Sequence, residues 1–98
     1  MVVLVMAAWF PGDALADREA GKRKSTVCIG CHGPKGMAVN KLWPNIAGQN
    51  PGYIIAQLQA FKSGLRTSSF MQPIAMGLTA VDMRNLALYY AGLGKKCD

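Results

Sequence analysis

From Asp17 onward, apolar positions recur at helical spacing, and no run of residues 17–98 alternates with the period of a strand. A first helix is expected from about Arg18 to Cys28, with Asp17 as its N-cap. A second is marked at both ends: Asn50 caps it, Pro51 suits its first turn, and Gly64 follows Lys62-Ser63 as its stop. Ile54, Leu58 and Phe61, with Ile55 beside them, form its apolar stripe. The last helix starts at Thr79, where Asp82 three residues on completes a capping box. Leu78 is placed to staple against Met83, and Val81, Leu86, Tyr90 and Leu93 give the apolar face. Gly92 or Gly94 ends it, with Lys95 and Lys96 near the negative helix terminus. Pro73 and Gly77 predict an extended loop over 69–78.

The front of the chain follows another pattern. MVVLVMAAWF is uncharged and almost wholly apolar, and Pro11-Gly12 and Ala14-Leu15-Ala16 follow it. An apolar run ending in an A-x-A site has the outline of a secretory signal peptide. Ten residues are too few to span a bilayer, which takes about 20. No Lys or Arg precedes the run, so a basic segment is expected upstream of Met1. The expected division is a signal peptide at 1–16 and a single domain at 17–98, exported to the periplasm. Cleavage after Ala16 leaves 82 residues and removes Asp13, raising the net charge from +6 to +7.

Size and composition then narrow the classes. With 98 residues, 51% hydrophobic and 16% charged, the chain is too apolar for a disordered basic tail. It is too short for a multidomain enzyme with its own cofactor-binding fold. A domain this small usually needs a staple: disulfides, a metal or a bound cofactor.

Three cysteines, Cys28, Cys31 and Cys97, cannot close a disulfide framework. Two of them stand in Cys28-Ile29-Gly30-Cys31-His32, the C-x-x-C-H pattern of covalent haem attachment. Thiols three residues apart on one helical turn can reach the two vinyl groups of one porphyrin. His32, next in sequence and the only histidine, then offers an imidazole nitrogen to the iron. A zinc site wants four ligands, and these three residues have no second C-x-x-C or H-x-x-x-H to complete it. A thioredoxin-like pair would need a βαβ context that the pattern lacks.

With that motif, Trp43-Pro-Asn-Ile-Ala-Gly-Gln49 and Leu86-Ala-Leu-Tyr-Tyr-Ala91, the chain resembles the class I c-type cytochromes. The likeness is to short periplasmic monohaem members and to a single half of the dihaem ones, and covers essentially all of 17–93. It implies an all-α, small cytochrome c fold, three to four helices wrapped around one covalently attached haem c with its iron. It also implies that Gly21 allows the first helix to cross the last one closely, against Tyr89 or Tyr90.

The resemblance implies a methionine on the iron face opposite His32, which raises the reduction potential. Met71, Met76 and Met83 follow the second helix. Met83 is assigned to the staple, Met71 stands at the family's position, and Met76 is the alternative. The other nitrogen of His32 should donate to a carbonyl, which the family often supplies from a proline; Val39 lies near the corresponding place here. Trp43 and Gln49 are candidate partners of the haem propionates, with core packing and a loop cap as their other readings. Arg66 is a further candidate, or a solvated side chain.

The function expected is that of an electron carrier cycling Fe(III)/Fe(II) with His32 and Met71 as ligands, not an enzyme. The alternative is a haem c subunit of a larger dehydrogenase or oxidase. The basic surface suits redox proteins with an acidic docking face, or serves solubility; nucleic acid is a poor partner for an exported haem protein. Cys97, close to the C-terminus, could join two chains, or this chain and a partner, by a disulfide.

Overall fold

A computed structural model describes residues 17–94. The signal-like segment, Lys95, Lys96 and Cys97 lie outside these residues. Five α-helices follow one another: α1 (Arg18–Lys24), α2 (Ile29–His32), α3 (Pro51–Ser63), α4 (Met71–Met76) and α5 (Ala80–Ala91). A 3₁₀ turn, Ser25–Val27, joins α1 to α2. The described residues contain no strand.

The expected first helix is therefore broken in two. Asp17 caps it as predicted, its side chain accepting from Glu19 N. At Ser25 the backbone N–H is shared between Gly21 O and Lys22 O, and Ser25 Oγ donates back to Lys22 O at 2.6 Å. That local hydrogen bond competes with the α-helical ladder, and the backbone tightens into a 3₁₀ turn before resuming at Ile29.

The crossing of α1 with α5 depends on Gly21. A Cβ built there would lie 2.1 Å from Asn85 O and 2.9 Å from Tyr89 Cβ, so the two backbones meet where no side chain fits. Tyr89, rather than Tyr90, is the aromatic at this crossing. Asn85 reinforces it from a buried position, its Oδ1 accepting from Asp17 N at 2.7 Å.

Both caps foreseen for the longer helices form. Asn50 Oδ1 accepts from Tyr53 N at 3.1 Å, and Gly64 closes α3 in the left-handed region at φ +86°. Ile54, Leu58 and Phe61 are buried, with Ile55 packed beside the core. At α5, Thr79 Oγ1 accepts from Asp82 N while Asp82 Oδ2 accepts from Thr79 N. Leu78 and Met83 are each 2% exposed, as a staple requires. Val81 departs from expectation and is exposed. Met83, Leu86, Ala87 and Tyr90 repeat at i, i+3, i+4, i+7, and a residue two places before that series points away from it. Leu93 is half-buried beyond Gly92, which stops the helix.

The segment expected as an extended loop contains α4. Pro73 is the third residue of this helix, within the first turn, where an amide N–H has no intrahelical acceptor and a proline costs little. Ser68 starts the turn: its Oγ accepts from Met71 N at 3.0 Å and its carbonyl from Gln72 N at 3.0 Å.

Candidate haem site

The long connection 33–50 brings the first motif toward the second. Directly after His32, Gly33 adopts φ +84°, and a Cβ there would meet Met37 O at 2.0 Å, so this reversal needs glycine. Gly36 O then accepts from Ile46 N and Ala47 N, and Gly48 N donates to Tyr90 O at 2.8 Å. The connection is tied both to itself and to α5.

One consequence is the orientation of His32. Its Nδ1 lies 2.8 Å from Pro44 O. A carbonyl can only accept, so Nδ1 is the donor, and in the neutral ring it is Nε2 that keeps the lone pair. A proline carbonyl thus fills this role, as in the family pattern, but from Pro44; Val39, expected near it, is 94% exposed. The Trp43-Pro44 step carries the proline that the family pattern calls for, five residues beyond Val39.

A cavity of about 400 Å³ opens beside this histidine, lined by residues from every helix except α1. Cys28, Cys31 and His32 form part of its wall, and Met71 enters the same space from α4. Ile54, Leu58, Phe61, Ile74 and Leu86 make it largely apolar. The other two candidate methionines are elsewhere: Met76 is 58% exposed, and Met83 is buried in the core. Trp43, Gln49 and Arg66 also line the cavity. Trp43 meets Phe70 edge-on, ring centroids 4.9 Å apart. Gln49 Oε1 accepts from Asn50 N, the loop-capping alternative. Arg66 is not simply solvated: it lies over the Phe61 ring and Nη1 donates to Gln57 Oε1 at 2.5 Å.

Tyr90, expected on the apolar face of the last helix or at the Gly21 crossing, also lines the cavity. Its hydroxyl is buried without a hydrogen bond of good geometry and interacts loosely with the Cys28 thiol and Ser25. Burial, with the charge of a Cys28 thiolate adding to it, pushes the phenol well above its ordinary range. Burial likewise pushes the Cys28 thiol up, against a smaller pull from Tyr90. Both groups are therefore neutral at pH 7. Two thiols, an imidazole with a free Nε2 and a thioether around one apolar space fit a covalently held, six-coordinate haem.

The comparisons point the same way. The cytochrome c family model matches residues 18–93. The chain is 45% identical over 78 residues to cytochrome c4 of Thiocapsa roseopersicina, matching 79% of this chain and 40% of that protein. To cytochrome c-554(548) of Halomonas halodenitrificans it is 33% identical, covering 76% of this chain and 94% of the relative. To the cytochrome subunit of sulfide dehydrogenase of Chlorobaculum tepidum it is 40% identical, covering 78% and 68%. The structure superimposes on cytochrome c4 of Acidithiobacillus ferrooxidans with a TM-score of 0.73 and 33% identity, over 78% of this chain and 49% of the other. The chain thus spans half or less of the cytochrome c4 proteins it matches. With the motif, the helical frame and the cavity in agreement, the chain belongs to the cytochrome c family, whose members carry haem c bound covalently through such a C-x-x-C-H sequence.

Proposed function

We propose that residues 17–98 form a one-electron carrier domain, exported behind residues 1–16, with a single haem c held at Cys28, Cys31, His32 and Met71. Bound in the cavity, haem c supplies an Fe(III)/Fe(II) couple. Cys28 and Cys31 tether it through thioethers, and His32, held by Pro44 O, presents Nε2. Met71 supplies a soft, neutral sulfur that favours the reduced iron. The apolar side chains of α3 and α5 keep water away, which also disfavours the more charged ferric state. Trp43, Gln49 and Arg66 are assigned to the propionates. The observation that carries the proposal is the convergence of Cys28, Cys31, His32 and Met71 on one apolar cavity.

The chain makes no bonds in a substrate in this reading, and its partners are redox proteins. Nine Lys and Arg against three Asp and Glu among residues 17–94 suit an acidic docking surface. No helix among the described residues is long and apolar enough to cross a membrane. Cys97 is assigned to a disulfide with a second chain in the oxidising periplasm. A second reading, a haem subunit of a larger dehydrogenase, is favoured by Leu42 and Phe70, which line the cavity and remain 78% and 59% exposed. Apolar side chains of this kind suit a lasting interface. Two measurements decide. Voltammetry of the holoprotein should give one reversible one-electron wave, with a low-spin ferric spectrum; a high-spin ferric form would contradict the carrier assignment. Gel filtration at micromolar concentration separates a free carrier from a protein that stays with a partner subunit.

A further inference from the structure

The segment carrying Met71 is weakly fastened. Between Gly64 and Leu78 most hydrogen bonds are local: Ser68 holds Phe70, Met71 and Gln72, and Gly77 N and Leu78 N close on Ile74 O and Ala75 O. At its start, Arg66 ties it to α3: its N donates to Ala60 O at 3.1 Å, and its exposed guanidinium reaches Gln57 Oε1 and lies over the Phe61 ring. Leu65 and Met76 are exposed, Phe70 touches Trp43 but stays 59% exposed, Met71 and Ile74 are half-buried, and only Ala75 and Leu78 within the segment are fully buried. A stretch with little burial and local hydrogen bonds is the kind that opens without global unfolding.

The far end has one long-range bond. Leu78 precedes the N-cap Thr79, so its carbonyl stands outside the ladder of α5. Lys62 Nζ, from the last turn of α3, reaches that carbonyl at 2.5 Å. The bond joins the residues flanking the segment, sixteen apart, and closes its neck. An ammonium donor makes a stronger hydrogen bond than a neutral one, and without it the carbonyl of a 2%-exposed residue loses its partner.

We infer that Lys62 is a positioning residue for Met71: by bonding Leu78 O it holds the 64–78 segment closed and keeps Met71 in the cavity. This rests on the assignment of Met71 above. Lys62 itself touches neither the cavity lining nor Met71 in any described contact; it acts through the neck.

The test is imidazole binding to the ferric holoprotein at room temperature, in wild type, Lys62→Met, Lys62→Arg and Lys35→Met. External imidazole would replace Met71 only when the segment opens, so its apparent affinity is scaled by the open population. Lys62→Met, which keeps the aliphatic stem and removes the donor, should bind imidazole about tenfold more tightly, as losing a charge-assisted hydrogen bond implies. Lys62→Arg, which keeps a donor, should restore part of the wild-type behaviour. Lys35→Met, which removes a surface charge elsewhere, should match wild type. Equal imidazole affinity in Lys62→Met and wild type, or an equal rise in Lys35→Met, would overturn the inference. Absence of a methionine-to-iron charge-transfer band in wild type would instead sink the Met71 assignment, before any variant is compared.

Discussion

Gly21→Ala puts the packing of the two terminal helices to a direct test, because propensity and packing predict opposite signs. Alanine is favoured over glycine inside a helix by about 1 kcal/mol. At Gly21, however, the added Cβ would sit 2.1 Å from Asn85 O, 2.6 Å from Asn85 C and 2.9 Å from Tyr89 Cβ. Real Cβ contacts essentially never fall under 3.0 Å, so the Asn85 carbonyl must retreat by at least 0.9 Å. It is backbone within α5 and cannot rotate aside; the helices must separate. Overpacking of this kind costs about 1–3 kcal/mol. Separation also weakens the Asp17 N to Asn85 Oδ1 bond across the same crossing, worth about 1 kcal/mol. Set against the propensity gain, the net loss is about 2 kcal/mol, or a fall in Tm on the order of 10 °C for a domain this size. Thermal unfolding of the holoprotein by far-UV circular dichroism measures it. Gly30→Ala is the control: a Cβ there meets nothing within 4 Å, and the substitution should be neutral or stabilising. A Gly21→Ala protein as stable as wild type would refute the close-crossing argument.

Three further outcomes follow from the structure. Thr79→Ala removes the side chain that accepts from Asp82 N and should cost about 1 kcal/mol in chemical denaturation. Asp82 itself is partly desolvated, which alone would raise its pKa. Its hydrogen bonds with Thr79 and the nearby Lys24 ammonium outweigh this and hold the carboxyl below the usual range. A depressed folded-state pKa adds stability above the unfolded value of about 3.9, which is lost as pH falls through the folded one. The stability gap between wild type and Asp82→Asn should therefore be flat near neutrality and shrink below about pH 4; a constant gap down to pH 2 would contradict the capping box. Tyr90→Phe deletes a buried hydroxyl that has no well-formed hydrogen bond. It should leave Tm unchanged or raise it slightly, since no good bond is lost and an unmet desolvation cost is removed.

The two kinds of sequence signal were unequal. Motifs whose chemistry is fixed by spacing, Cys28 to His32 above all, locate one wall of the cavity by themselves. Caps were equally legible, because Asp17, Asn50 and Thr79 act on N–H groups two or three residues away. What failed were readings that depended on context. Pro73 looked like a breaker, yet at the third position of a short helix it costs almost nothing. Val81 looked like core by residue type, yet the register set by Met83, Leu86 and Tyr90 turns it outward. The carbonyl that meets His32 belongs to Pro44 and not to the neighbourhood of Val39, because the connection is irregular and has no period to count by. Lys62 gave no signal at all, since a lysine in a last helical turn reads as a partner for the helix dipole. Its bond to Leu78 O depends on how the chain returns after α4.

The most direct test of the proposed ligand set is the methionine-to-iron charge-transfer band of the ferric holoprotein. Met71 lines the cavity, while Met76 is 58% exposed and does not. The band should be present in wild type, persist in Met76→Ala and vanish in Met71→Ala. A band that survives in Met71→Ala would contradict the account.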